Sequence, residues 1–125
     1  MTVSDRVATR FHHKLGLVVF GLFLTFLVLE AALRTGGFII LSRQSYRNAL
    51  SLRQKGVYRI MCIGESTTQG GYPAFLEQVL NGRNMGIRFS VIDRGLGGTN
   101  TSVLVSRIEA DLDTYHPDMV VAMMG

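Results

Sequence analysis

The sequence of 125 residues contains a single cysteine, Cys62, so an intrachain disulfide is impossible and the redox compartment is not indicated. Cys62 lies inside an apolar run, which favours a buried, small hydrophobic role over a reactive thiol. Histidine is also scarce: the adjacent pair His12 and His13 has no further ligand nearby to complete a metal site. The sequence therefore predicts no metal and no cofactor.

Charge is nearly absent from residues 15–33, where Glu30 is the one charged residue. As a helix this segment would be about 28 Å long at about 1.5 Å per residue. A bilayer hydrocarbon core is about 30 Å thick, so the segment is just long enough to cross it. Glu30 precedes Arg34 by four residues, and the two side chains are expected to pair on one helix face. We therefore predict a transmembrane helix over residues 15–33.

A cleaved signal peptide is the alternative, since it also has a basic start and an apolar run. The run is long for a signal sequence, however, and no Ala-x-Ala site follows it. We expect residues 1–14 to be a cytoplasmic head and the rest of the chain to lie outside, in a single-pass protein. Basic residues flank both sides, so the positive-inside rule does not decide the orientation; they are Arg6, Arg10 and Lys14, then Arg34, Arg43, Arg47 and Arg53.

The net charge of +4 is interpreted as flanking charge at a membrane, and no nucleic-acid partner is predicted. Gly36-Gly37 is expected to break the helix. Residues 34–56 then form a juxtamembrane linker, whose arginine-rich part from residue 42 to 55 carries no catalytic signal. We interpret it as a spacer near lipid headgroups.

Residues 57–125 read as alternating strands and helices. Strands are predicted at Val57–Ile63, Ile87–Ile92 and Met119–Met124, with helices at 73–83 and 101–115. The predicted apolar face of the first of these helices is Ala74, Phe75, Val79 and Leu80, with Leu76 at its border. That of the second is Leu104, Ile108, Leu112 and Tyr115. A β-α-β-α-β order predicts a parallel sheet with right-handed crossovers. Loops at the carboxyl ends of its strands should converge on one rim.

The loops at this rim exclude several common motifs. The nucleophile elbow Gly-x-Ser-x-Gly requires a glycine where Thr68 stands, and no Gly-Lys-Ser/Thr of a phosphate loop is present. A dinucleotide fingerprint beginning at Gly95 fails because Asn100 occupies the position of its third glycine. Ser66 remains as a candidate nucleophile, with the backbone amides of Ser66 and Gly98 as candidate oxyanion donors. By spacing alone, Ser66 as a nucleophile and Ser66 as a turn residue are equally supported.

Three stretches, each at a strand end, resemble successive blocks of the SGNH, or GDSL, hydrolases. They are Gly64-Glu65-Ser66, Val91 to Thr99, and Pro117 to Gly125. The family comprises serine esterases, lipases, deacetylases and thioesterases. The resemblance implies a flavodoxin-like three-layer α/β/α domain with Ser66 as nucleophile and Gly98 as an oxyanion-hole donor. It implies an acyl-ester substrate, and the anchor suggests a lipid or an O-acylated glycan.

The sequence departs from the family pattern at several positions. Glu65 replaces the usual aspartate, and Asp93 stands where asparagine is common. The asparagine of the third block would directly follow Gly125, and the family's Asp-x-x-His segment would lie further downstream. His116 precedes the third strand, at the wrong end of the sheet. We therefore expect this chain to be the N-terminal part of such a hydrolase and to be inactive alone. The alternative is a non-catalytic, membrane-tethered α/β binding module.

Overall fold

The computed structural model describes residues 3–124, with their side chains from residue 11 onward. Three helices and three strands alternate along the described residues, beginning with a long helix. They are α1 (Val3–Arg53), β1 (Tyr58–Gly64), α2 (Tyr72–Gly82), β2 (Phe89–Gly95), α3 (Thr101–Tyr115) and β3 (Met119–Met123). The predicted α/β order is confirmed. After α1, the largest difference in bounds is in β2, which continues three residues past Ile92, to Gly95.

Helix α1 runs without a break through Gly36-Gly37, so the predicted helix end at these glycines is wrong. A glycine inside a helix costs only about 1 kcal/mol relative to alanine, and no proline or capping residue reinforces the stop. The chain nevertheless divides here into two compact units, the first ending at Ile39 and the second beginning at Ile40. Residues 40–53 thus belong with the sheet rather than to a separate linker.

The first unit contains the apolar segment of α1. By length and composition this helix is able to cross a membrane, and a signal sequence near the N-terminus would meet the same criterion. The predicted pairing of Arg34 with Glu30 is confirmed, with 2.7 Å between Nη2 and Oε1. Both side chains are exposed, so this ion pair contributes little to stability.

The sheet has the order β2-β1-β3, and both pairings are parallel. Gly64 at the end of β1 is in register with Gly95 of β2 and with Met123 of β3. The carboxyl ends of the three strands therefore lie level, as the sequence predicted.

The core lies on both faces of β1, whose side chains alternate between them. Met61 and Ile63 pack with Ile92 and with Leu104 of α3. On the other face, Ile60, Cys62 and Val91 pack against α2; the half-buried residues around them include Tyr72, Leu76 and Leu80. The sulfur-bearing side chain of Cys62 is fully buried, which confirms its predicted hydrophobic role.

The predicted apolar face of α2 is partly wrong. Phe75 is 68% exposed, and the residues that contact the core are Tyr72, Leu76 and Leu80. The reason is the start of the helix: Pro73 is fully buried, and this fixes a rotation in which every fourth residue from Tyr72 faces the sheet.

The predicted apolar face of α3 agrees better with the structure than that of α2 does. Leu104 is buried, and Ile108 and Tyr115 pack against the same cluster. Leu112 is the exception, because it is 37% exposed. Helix α3 begins as expected after the glycine-rich loop, with the Asn100 side chain accepting a hydrogen bond from the Val103 amide as an N-cap.

Candidate active site

Ser66 lies in an exposed turn directly after β1. The amides of Thr68 and Gln69 both donate to the Glu65 carbonyl at 3.1 Å, which closes the turn. Gly64 permits this tight turn, because a side-chain carbon there would lie 2.5 Å from the Met123 carbonyl oxygen and would overlap Thr68. The hydroxyl of Ser66 is thus presented at the rim where the three strands end.

The loop after β2 is fastened to this turn by two hydrogen bonds. The Leu96 amide donates to the Gly64 carbonyl at 3.0 Å, and the Gly97 amide donates to Gln69 Oε1 at 2.8 Å. Gly95 and Gly97 allow the close approach. A side-chain carbon at Gly95 would lie 2.7 Å from Gln69 Cα, and one at Gly97 would lie 2.8 Å from Gln69 Oε1, as well as 3.5 Å from Ser66 Cβ. The structure therefore brings the two predicted loops together, with Gly97 directly against Ser66.

The amides of Ser66 and Gly98 have no hydrogen-bond acceptor among residues 3–124. The Gly97 amide, by contrast, is occupied by Gln69. Gly98 has a φ of +73°, a left-handed conformation that favours glycine, and its surroundings are open. These two amides are available to a ligand, but their assignment as oxyanion donors stays a prediction.

Asp93 connects the site to its surroundings. Its Oδ2 accepts a hydrogen bond from the Gly70 amide at 2.6 Å. Its Oδ1 accepts from the Gly95 amide at 2.9 Å and from Gln44 Nε2 at 3.1 Å. A carboxylate accepts several bonds at once, so aspartate holds both loops in a way that a single asparagine oxygen would not.

Helix α1 contributes two side chains that the sequence reasoning missed. Asn48 is 2% exposed; its Nδ2 donates to the Asp93 carbonyl at 2.7 Å, and its Oδ1 accepts from the Asp93 amide at 3.1 Å. Gln44 Nε2 donates to the Gly95 carbonyl at 2.8 Å. The one feature of the sequence that could have indicated this role is the presence of two side-chain amides, Gln44 and Asn48, one helical turn apart. The predicted spacer thus supports the strand that carries the second loop.

Two other reactive side chains lie beneath the rim. Burial raises the pKa of the Cys62 thiol, and burial together with the neighbouring Cys62 raises the pKa of Tyr72 to about 12. The Tyr72 hydroxyl is close to Cys62 and Thr68, yet it makes no hydrogen bond of good geometry. Both groups are therefore protonated at neutral pH, and the exposed hydroxyl residues of this turn are Ser66 and Thr67.

None of the described residues supplies a histidine base at this rim. His116 ends α3 and precedes β3, so it lies at the amino end of the sheet, opposite Ser66. His12 and His13 lie within α1, in the first unit. Residues 3–124 also contain no group of three potential metal ligands.

Comparison with models of known families, with curated proteins and with solved structures found no match to the chain.

Proposed function

We propose that residues 57–125 carry the nucleophile and oxyanion loops of a serine acyl-ester hydrolase of the SGNH type. The strand order β2-β1-β3 and the packing of α2 and α3 on opposite faces of β1 are consistent with a flavodoxin-like three-layer domain. One observation carries the proposal: the turn bearing Ser66 and the loop bearing Gly98 are hydrogen-bonded together. The amides of Ser66 and Gly98 have no acceptor among the described residues, and Ser66 is exposed at this rim.

In this mechanism the Ser66 Oγ attacks the ester carbonyl carbon, and the carbonyl oxygen becomes an oxyanion. The amides of Ser66 and Gly98 donate to this oxyanion, which lowers the barrier because they are already oriented. The proton of Ser66 passes to a general base. The resemblance implies a histidine from an Asp-x-x-His segment for this role, and its absence from the 125 residues predicts that the isolated chain hydrolyses esters very slowly.

The first test is to read the gene beyond codon 125 for an asparagine at the next position and a later Asp-x-x-His. In the protein that contains this segment, Ser66→Ala should lower the hydrolysis of p-nitrophenyl acetate by about a thousandfold or more. Ser102→Ala, an exposed serine on α3, is the matched control and should leave the rate unchanged. Full activity of Ser66→Ala would refute the assignment.

A non-catalytic binding module is the second candidate, favoured by the position of His116 away from the rim. A fluorophosphonate probe distinguishes the two functions, because it labels an activated serine. Labelling of the longer protein that disappears in Ser66→Ala supports the hydrolase. Absence of labelling, with partner binding retained, supports the module.

We further propose that α1 anchors the protein in a membrane as a single span, with the α/β unit outside the cytoplasm. The continuous helix through the apolar segment supports this proposal. Protease added to intact cells should then digest the α/β unit. Its protection until the cells are lysed would place it in the cytoplasm, and its release without detergent would indicate a cleaved signal sequence.

A further inference from the structure

A cavity of about 290 Å³ lies within the second unit, between the last turns of α1 and the start of α2. Neither Ser66 nor Gly98 lines it, so it is separate from the proposed active site. Its volume is at the lower end of the range of about 300–1,000 Å³ that small-molecule pockets occupy.

Two arginines give this cavity its charge. Arg43 and Arg47 are one turn apart on α1, and both line the cavity. The ion pairs among the described residues involve other arginines, namely Arg34 and Arg94. The one carboxylate in the lining, Asp93, is already engaged by two backbone amides and by Gln44. Neither Arg43 nor Arg47 thus forms an ion pair with a carboxylate among residues 11–124.

The rest of the lining is largely apolar. Its apolar part is formed by Ile40 of α1, Pro73 and Ala74 of α2, and Val91 of β2, and Gln44, Asn48 and Gly70 complete the lining. A ligand that fills this space therefore combines an anionic group with a short apolar part. Guanidinium groups match the oxygens of a phosphate through paired hydrogen bonds, and two of them suit a phosphate better than a single carboxylate.

We propose that the cavity binds a phosphate-bearing amphiphile, with its phosphate between Arg43 and Arg47 and its apolar part against the Ile40 wall. A membrane phospholipid and a soluble phosphate monoester share this chemistry. Because Asp93 lines the cavity and also holds the Gly70 amide, occupancy should be sensed at Gly70. The proposal does not depend on hydrolysis by Ser66.

The test is an NMR titration of the full chain in maltoside micelles. The signals to follow are the backbone amide of Gly70 and the side-chain Nε–H groups of Arg43 and Arg47. The probes are dihexanoyl phosphatidylglycerol, glycerol 3-phosphate, and dihexanoylglycerol, which lacks a phosphate. Saturable shifts with the first probe alone identify a lipid site, and shifts with glycerol 3-phosphate identify a site for soluble esters. Both results support the proposal, whereas no shift with either, or equal shifts with dihexanoylglycerol, overturns it.

The double variant Arg43→Gln/Arg47→Gln should weaken binding by about a hundredfold, at about tenfold per charged hydrogen-bonding partner. Arg53→Gln is the matched control on the same helix and should bind normally, since Arg53 does not line the cavity. If Arg53→Gln weakens binding as much as the double variant does, the effect reflects general electrostatic attraction to the helix, and the proposed site is overturned. If the double variant does not fold, Arg43→Lys and Arg47→Lys replace it. They keep the charge but lose the paired hydrogen bonds, so unchanged binding in both would also overturn the proposal.

Discussion

The two outer strands of the sheet differ in whether side chains bind the backbone groups at their outer edges. Along β2 every second residue directs its backbone groups outward, and side chains of two helices bind them. These side chains are Asn81 and Glu77 of α2, and Asn48 and Gln44 of α1. Along β3, no strand or side chain among residues 3–124 binds the outer edge. Its residues Met119, Val120 and Met123 are 40% to 48% exposed.

This difference shows that a sheet edge can be closed by helices alone. The polar side chains of α1 and α2 replace hydrogen bonds that a further strand would form with β2, so we call β2 the finished edge. Strand β3 keeps free backbone groups beside apolar side chains, which is the pattern of an edge that pairs with another chain segment. Substitutions along the two edges should therefore have different consequences.

The largest expected effect is that of Asn48→Ala at the finished edge. Asn48 is buried, and its removal leaves the Asp93 amide without an acceptor. An unsatisfied buried group costs about 1–3 kcal/mol, so we expect the unfolding free energy to fall by about 3 kcal/mol once the lost packing is included. Guanidinium unfolding in detergent micelles, followed by circular dichroism, measures the change.

Ser45→Ala is the control for this substitution, because Ser45 is exposed on the same helix. It should change the unfolding free energy by less than about 0.5 kcal/mol. Amide hydrogen exchange at Asp93 gives a local readout and should accelerate in Asn48→Ala alone. A stability loss equal to that of the control would show that α1 does not hold this edge.

Asn81→Ala should have the next largest effect. The Asn81 side chain both donates to the Phe89 carbonyl and accepts from the Phe89 amide, each at 2.9 Å. The site is only half-buried, so water replaces part of what is lost, and we expect a fall of about 1–2 kcal/mol. Gln78→Ala, exposed on the same helix, should be nearly neutral. If Asn81→Ala lowers the unfolding free energy more than Asn48→Ala does, the contacts at the start of β2 stabilise the fold more than those near its end, contrary to our expectation.

The sheet itself was predictable from the sequence because its signals are local. An apolar run followed by Gly64 and Ser66 marked both β1 and the rim, and the rule for parallel strands placed the Gly97 loop beside it. The rotation of α2 was not predictable from apolar spacing, since it depends on how Pro73 is buried. The prediction that the helix breaks at Gly36-Gly37 was wrong, because two glycines alone destabilise a helix too little to end it.

The supports of the candidate site were less predictable. Asn48 and Asp93 are 45 residues apart in the chain, and no periodicity relates a buried amide on a helix to the edge of a distant strand. Gln69 has the same difficulty, since one polar side chain in a polar turn gives no indication that it will bind Gly97. Polar contacts of this kind depend on the packed structure, whereas the strand ends follow from the order of the elements.

At the open edge, Val120→Lys should change association more than stability. Val120 is 40% exposed, so a lysine at this position should cost about 0.5 kcal/mol or less. The open apolar edge of β3 predicts that the chain self-associates through it, and a charge there should decrease this association because it opposes pairing with a second copy. Sedimentation velocity in micelles measures this effect. Val105→Lys on α3, where Val105 is 58% exposed, is the control; equal suppression by both variants would mean that added charge, not the edge, is responsible.

The smallest effect at neutral pH should come from Tyr72→Phe, because the Tyr72 hydroxyl lacks the partners that the β2 side chains have. We expect a change within about 0.5 kcal/mol.

Burial raises the pKa of Tyr72 from 10.0 to about 12, so the fold favours the neutral phenol. This contribution is fully present below pH 10 and is lost as the pH rises from 10 towards 12. Tyr72→Phe should therefore lose less stability than the wild type over this range. Tyr46→Phe, at an exposed position, should follow the wild type. Parallel alkaline unfolding curves for all three proteins would mean that the phenol is not held neutral by its burial against β1.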